Sequence, residues 1–158
     1  MHEPQSKFMN LAIEAAKKNF QKSAGGPFGA CIIRNNEVIS VAANSVLISD
    51  ATAHAEMNAI REASKKLQTH ILSDCIIYST TEPCPMCFSA IHWAQIPLLV
   101  FGSRIEDAAA VGFNELSISN QQVKTLGNST VEIIAGFQSE ECLSVLRDWH
   151  VEKADLLY

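Results

Sequence analysis

The stretch CIIYSTTEPCPMCFSA, residues 75–90, joins an apolar run to the start of a helix and sets the architecture around it. CIIYST is short and apolar, a pattern that predicts a strand covered on both faces. Pro83 and Pro85 fix the backbone around Cys84, where the strand ends and a helix begins. Cys84 and Cys87 therefore lie about one helical turn apart and can face the same point.

Working outward from this stretch, the chain alternates between helical and extended patterns. The predicted elements are a helix over 5–22, a hairpin over 30–44 that turns at Asn35-Asn36, a helix over about 53–68, a strand over 75–80, a helix over 85–95, a strand over 97–102, a looser region to about 128, a strand over 130–136 and a closing helix over 139–150. This order predicts an α/β fold in three layers, α/β/α, with helices on both faces of a mixed five-stranded sheet. Trp93 is assigned to the core.

Composition and charge narrow the class of protein. The chain has 158 residues, 47% of them apolar and 18% charged, so we expect one compact domain over 1–158. The N-terminus shows no secretory pattern and the longest apolar run is far too short for a bilayer, which predicts a soluble, cytoplasmic protein with no membrane partner. With a net charge of −5 and scattered lysines and arginines, no nucleic-acid partner is expected.

The five cysteines fall into two groups. An odd count without an export signal does not predict a disulfide framework. Cys31, Cys75 and Cys142 stand alone in apolar surroundings, so we expect buried structural thiols. Cys84 and Cys87 form a C-x-x-C pair, which on its own fits a metal site and a redox pair equally well.

A second motif lies in TAHAEMNAIREA, residues 52–63, where His54 and Glu56 open a predicted amphipathic helix. Alone, this spacing is more typical of a surface pair or a hydrogen-bonded histidine. Together with the C-x-x-C pair it supplies one nitrogen and two sulfurs, which favours a zinc ion with its fourth tetrahedral position open; a structural site would need a fourth protein ligand. Because zinc lowers the pKa of bound water, Glu56 can take that proton as general base and return it as general acid.

These motifs carry a family resemblance. HAE at 54–56 and PCPMC at 83–87 match the H-x-E…P-C-x-x-C signature, so the sequence resembles the zinc-dependent nucleobase deaminases of the cytidine deaminase-like superfamily. Within that superfamily, GGPFGA at 25–30, DATAHAE at 50–56 and EDAAAVGF at 106–113 resemble the small guanine deaminases of the bacterial type.

The resemblance implies a set of contacts to the substrate. In that family a carboxylate in the loop after the fourth strand meets the guanine edge that bears N1–H and the 2-amino group. The matching residue here is Glu115, with Asn114 as the alternative. Asn44 matches a position that hydrogen-bonds the base, and an asparagine can donate and accept at once. Phe28 is expected to line the pocket.

The same resemblance implies one zinc ion per subunit and a homodimer. The C-terminal segment, residues 151–158, resembles a lid that crosses over and closes the partner subunit's site, with Tyr158 reaching in. Leu156 and Leu157 favour a docked tail, since a disordered end has no use for apolar side chains.

Taken together, these features predict hydrolytic deamination of a small purine, guanine, to xanthine and ammonia. A tRNA-specific adenosine deaminase is the first alternative, but it would need a basic surface. A cytosine or nucleoside deaminase is the second. A zinc-stabilised interaction module without catalysis is the third, and Glu56 speaks against it because a structural site has no use for a proton carrier.

Overall fold

The computed structural model describes residues 3–158, so residues 1 and 2, where the predicted domain begins, lie outside the described part. The elements are α1 (Ser6–Lys22), β1 (Gly29–Arg34), β2 (Glu37–Ala43), α2 (Ala55–Leu67), β3 (Cys75–Thr81), α3 (Pro85–Trp93), β4 (Leu98–Ser103), α4 (Ile105–Ala110), α5 (Asn120–Leu126), β5 (Glu132–Ala135) and α6 (Ser139–Glu152). Among residues 3–158, none of these helices combines the length and the hydropathy that a membrane crossing requires.

The five strands form one mixed sheet in the order β2-β1-β3-β4-β5. β1 pairs antiparallel with β2 and with β3, whereas β3, β4 and β5 run parallel. Asn35 and Asn36 close the β1-β2 hairpin with φ values of 51° and 63°, as a type I′ turn requires. The predicted mixed five-stranded sheet is confirmed.

Helices cover both faces of this sheet, which confirms the three predicted layers. Successive residues of a strand point to opposite faces. Ala30 and Ile32 of β1 therefore belong to the apolar core under α2 and α3, while Cys31 and Ile33 belong to the core under α1 and α6. Because both faces of the sheet are covered by helices, we expect a ligand site at the strand ends.

The region predicted to be loose contains two short helices, α4 and α5. They are six and seven residues long; α4 buries Ile105 and Ala108, and α5 buries Asn120, so neither is long enough to show a repeating apolar stripe. The local signal in the sequence was a capping box, in which Ser119 and Gln122 satisfy each other's backbone N–H groups at the start of α5.

The predicted burial of three cysteines is confirmed, whereas that of Trp93 is not. Cys31, Cys75 and Cys142 are buried, as predicted. The assignment of Trp93 to the core is wrong, because this residue ends α3 and is 75% exposed. Phe88 is the aromatic residue of α3 that packs in the core.

The parallel strands β3 and β4 end at the same edge of the sheet. β3 passes through Glu82 and Pro83 into α3, and α2 begins across from this turn, so that His54 meets Cys84. Ligand sites of open α/β sheets lie at such carboxyl ends.

Candidate active site and metal centre

His54 and Cys84 occupy equivalent places, each at the residue that precedes the first turn of a helix. Both residues have extended backbones. The two side chains meet, with Nδ1 of His54 3.6 Å from Sγ of Cys84. Cys87 lies one turn into α3, and one donor atom from each of the three residues lies within 4.8 Å of the other two.

The chemistry of this donor set fits zinc. The hydrogen bond from Cys87, followed by that from His54, lowers the pKa of Cys84 to about 4 despite its burial. The same bond to Cys84, together with burial, raises the pKa of Cys87 well above its usual value, so the two thiols share one proton. A divalent cation would displace this proton, and one nitrogen with two sulfurs can hold a tetrahedral zinc ion with one position open.

Glu56 lies in the first turn of α2, beside this donor set, with only 6% of its surface exposed. The hydroxyl group of Ser79 on β3 donates to Oε1 of Glu56 at 3.0 Å. Burial raises the pKa of Glu56, and the neighbouring His54 opposes that shift. A carboxyl group whose pKa is raised towards neutrality can both accept a proton and return it.

A small cavity joins the metal-binding donors to the predicted substrate residues. Its lining residues are Phe28, Asn44, His54, Glu56, Thr81, Glu82, Cys84, Glu115 and Tyr158. Seven of the eight predicted site residues are in this set, and the eighth, Cys87, is fully buried behind it. The cavity measures about 30 Å³, enough for a water molecule but not for a base.

Asn44 follows β2 and is 2% exposed. Its backbone N–H donates to the carbonyl of Phe28 at 3.0 Å, and its backbone carbonyl accepts a bond of 2.8 Å from the side chain of Asn19 on α1. Asn19 also donates to the carbonyl of Gly26 at 2.8 Å. One buried amide thus ties together the two segments that carry Phe28 and Asn44.

In the loop after α4, Glu115 lines the cavity and Asn114 does not. Glu115 lines the cavity, and its burial raises its pKa, as does the nearby Cys84. Asn114 is exposed, and its backbone N–H donates to the carbonyl of Tyr158 at 3.0 Å.

The C-terminal tail closes one side of the cavity. The Tyr158 hydroxyl donates to Oδ1 of Asn44 at 2.7 Å and accepts the N–H of Gly26 at 2.7 Å. The Tyr158 ring packs edge-on against Phe113, with 5.5 Å between the ring centroids. Burial raises the pKa of Tyr158 to about 12, so this hydroxyl stays protonated and remains a donor. The predicted tail begins two residues early, since α6 extends to Glu152.

A sequence model of the family described as the cytidine and deoxycytidylate deaminase zinc-binding region matches residues 2–103. The chain belongs to this deaminase family. The family match includes both motifs, HAE at 54–56 and PCPMC at 83–87. Membership makes the protein a zinc-dependent deaminase, a hydrolytic enzyme.

Individual relatives of the deaminase differ in their substrates. Guanine deaminase of Bacillus subtilis (strain 168) is 39% identical over 125 residues, which are 78% of this chain and 80% of that protein. The tRNA-specific adenosine deaminase of the same organism is 34% identical over 140 residues, covering 88% and 84%. A solved structure of guanine deaminase from Nitrosomonas europaea superposes with a TM-score of 0.82 at 26% identity, covering 96% and 87%.

The family match ends before two of the predicted substrate residues of the deaminase. Glu115 and Tyr158 lie beyond residue 103, whereas Phe28 and Asn44 lie within the matched range. The matched part thus supplies the metal-binding donors and most of the cavity lining, and the rest of the chain adds Glu115 and Tyr158.

Sequence reasoning missed two cavity residues of the deaminase, Thr81 and Glu82. Glu82 is 5% exposed and immediately precedes Pro83 and Cys84. A carboxylate between an apolar strand and a helix start is a signal that could have found it, because a buried charge needs partners. For Thr81 the sequence holds no such signal.

Proposed function

We propose that this deaminase acts on guanine as a free base, with the reaction guanine plus water giving xanthine and ammonia. The observation that carries the proposal is Glu115, a half-buried carboxylate in the same cavity as Glu56 and the metal-binding donors. Guanine presents two donors side by side, N1–H and the 2-amino group, and a carboxylate accepts both. Adenine and cytosine present a ring acceptor beside their amino group, which a carboxylate would repel.

In this proposal His54, Cys84 and Cys87 hold one zinc ion. When bound, zinc supplies a water molecule that is acidic enough to ionise near neutral pH. Glu56 removes a proton from the attacking water and delivers it to the ring nitrogen next to C2. As the C2–N bond breaks, Glu56 passes the second proton to the amino group, which leaves as ammonia.

The remaining cavity residues orient the base. Asn44 bonds the base through its amide once the Tyr158 hydroxyl releases Oδ1. Phe28 packs against the ring; it is already held in place edge-on to Phe113, with 4.9 Å between the centroids. These contacts fix the base with C2 towards the metal-binding donors.

The tail acts as a lid in this proposal. A cavity of about 30 Å³ cannot admit a purine while Tyr158 bonds Asn44 and Gly26, so the tail must move before the base enters. Its return would exclude water from the site and strengthen the electrostatic interactions within it.

A homodimer is part of the same proposal. Trp93 on α3 and Leu126 on the neighbouring α5 are 75% and 84% exposed, and large exposed apolar side chains of this kind mark interfaces. Within the chain described, the tail docks on its own site; its exchange between subunits stays a prediction.

The five unpaired thiols suit a reducing compartment, which is why we place the protein in the cytoplasm.

Ammonia release from the purified, zinc-loaded protein tests this function. Guanine, guanosine, adenine, cytosine and a tRNA anticodon stem-loop are compared under the same conditions. We expect fast release from guanine alone. Release from the stem-loop and not from guanine would replace the proposal with tRNA adenosine deamination, and release from cytosine or guanosine would assign the corresponding base or nucleoside.

A further inference from the structure

Glu82 is a buried carboxylate that no step of the proposed reaction uses. It lies between the metal-binding turn and the segment that carries Glu115. Its Oε1 accepts the backbone N–H of Asn120 at 2.7 Å, and its Oε2 lies 3.4 Å from the N–H of Ile105. Its own N–H donates to the carbonyl of Ser103 at 2.7 Å. These bonds connect it to the first residues of both α4 and α5.

Asn120, the first residue of α5, makes a second hydrogen bond to the metal-binding turn. It is fully buried, and its side-chain amide donates to the carbonyl of Pro83 at 2.6 Å. Residues 82 and 83 therefore accept two hydrogen bonds from Asn120, one at the Glu82 carboxylate from the backbone N–H and one at the Pro83 carbonyl from the side-chain amide. Cys84 is the next residue of the turn, so the metal-binding turn and the start of α5 move as one unit.

The loop between α4 and α5, residues 111–119, has mostly local bonds of its own. The N–H of Glu115 donates to the carbonyl of Phe113, and that of Ile118 to the carbonyl of Leu116. Bonds inside a loop fix its shape but not its place on the molecule. Phe113 packs with Trp149, and Asn114 donates to the Tyr158 carbonyl, so these residues hold the loop against α6 and the tail. Glu82 adds an anchor at the first residue of each of the two helices that flank the loop.

We infer that Glu82 is a positioning residue for base recognition: it sets the place of Glu115 relative to the metal-binding turn. The inference rests on the proposed function, in which Glu115 contacts the base. A carboxylate suits the task because it offers two acceptors to two N–H groups from different helices, and bonds to a charged acceptor are strong. Glutamine at this position would keep one acceptor, and alanine would keep none.

The first test is kinetic and uses Glu82→Ala, Glu82→Gln and the control Glu106→Ala, which changes an exposed glutamate in the first turn of α4. We expect Glu82→Ala to raise KM for guanine by roughly tenfold to a hundredfold, the loss that follows when a hydrogen bond from the base to a charged group is no longer formed. We expect kcat and zinc content to change little, because the lost interaction is one of substrate binding. Glu82→Gln should raise KM less than Glu82→Ala does, and Glu106→Ala should have the same KM as the protein without substitutions.

A double-mutant cycle separates positioning from general damage. If Glu82 acts through Glu115, then Glu82→Ala should add little to KM in a Glu115→Gln background. Additive effects would overturn the inference. Loss of zinc in both Glu82 variants would overturn it as well, since Glu82 would then support the metal site itself.

Hydrogen–deuterium exchange of the substrate-free protein gives a readout that needs no activity. We expect faster exchange in peptides covering residues 111–122 of Glu82→Ala, with α1 and the sheet unchanged. Unchanged exchange at 111–122, or faster exchange throughout the chain in both Glu82 variants, would contradict the inference. If the unchanged protein does not deaminate guanine, the proposed function fails, while this exchange result still decides whether Glu82 holds the loop.

Discussion

At the scale of single residues, the site keeps a carboxylate where burial opposes its charge. Glu56 is 6% exposed, and its side-chain hydrogen bond from Ser79 only partly compensates for the lost water. Proteins retain such a group when its chemistry is worth the loss of stability. Activity and stability should therefore respond in opposite directions when Glu56 is neutralised.

Glu56→Gln should lower kcat for guanine by about 10²–10⁴-fold, the usual contribution of a proton-transferring group. Zinc content should stay near one ion per chain, because the amide leaves His54, Cys84 and Cys87 in place. Steady-state kinetics and elemental analysis check both results, with Glu62→Gln, an exposed change on the same helix, as control. Loss of zinc together with activity would assign Glu56 to the metal instead of the proton.

The same variant should stabilise the metal-free protein in a pH-dependent way. The folded state raises the pKa of Glu56 above its ordinary 4.5, so it binds a proton that the unfolded state has already released. Stability therefore falls as the pH rises from about 4.5 through the raised pKa, and glutamine is free of this effect.

Thermal unfolding of the two chelated proteins should show no Glu56→Gln advantage at pH 4.5 and a higher Tm for Glu56→Gln at neutral pH, because the pKa of Glu56 is raised in the folded state. An advantage that is constant with pH would mean that packing, not charge, causes it.

Glu115 should be the residue that selects the base. Glu115→Gln replaces one acceptor with a donor that faces the donors of guanine, so kcat/KM for guanine should fall by roughly 10–200-fold, as expected when a buried donor loses its partner at a cost of about 1–3 kcal/mol. Tm should barely change, since Glu115 lies in a half-exposed loop. Equal losses of stability and activity would make Glu115 structural.

The metal-binding residues and Glu56 could be predicted from motifs in the sequence, whereas the substrate residues were inferred from the resemblance to guanine deaminases, for a physical reason. His54, Glu56, Cys84 and Cys87 belong to two short motifs at helix starts, where spacing alone determines which side chains share a face. Glu115 lies in an irregular loop whose place depends on Glu82 and Asn120, and no local pattern encodes that contact.

At the scale of secondary-structure elements, the metal centre is made by two helices that begin at the same sheet edge. β3 and α3 supply Cys84 and Cys87, and α2 supplies His54. β3 was predicted from a short apolar run, α3 from the proline-bounded helix start and α2 from its amphipathic pattern. α4 and α5 were not predicted, because helices of six and seven residues that bury two side chains and one side chain are too short to show a hydrophobic period.

Cysteine variants test this convergence. Cys84→Ala and Cys87→Ala should each lose zinc and activity, since two remaining protein ligands hold the ion weakly. Cys75→Ala, which changes a buried thiol of β3 outside the donor set, should keep both. Elemental analysis after dialysis separates the two groups. Zinc retained in either of the first two variants would show that the ion is held by other residues.

At the scale of the whole molecule, the last residue of the chain returns to a site built mainly by the first half. Tyr158 bonds Asn44 and Gly26, while Leu156 and Leu157 pack with Phe113 and Trp149. The sequence indicated a docked tail through its apolar residues. It could not show which chain the tail docks on, because an exchanged tail and a returning one have the same sequence.

Removing residues 153–158 should lower kcat/KM for guanine without loss of zinc, because the open site admits water and exposes Glu115 to solvent. An unchanged kcat/KM would show that the tail does not act as a lid. Mixing this truncated protein with full-length Glu56→Gln protein decides whether tails are exchanged. Activity should reappear in the mixture only if the tail of one subunit closes the site of the other.

The central claim is that water and guanine react in this cavity, and the mass of the product tests it most directly. The zinc-loaded protein is incubated with guanine in water labelled with heavy oxygen, and the product is analysed by mass spectrometry. We expect xanthine carrying one heavy oxygen atom and an equal amount of ammonia. Absence of labelled xanthine, from a protein that holds its zinc and is correctly folded, would contradict the account.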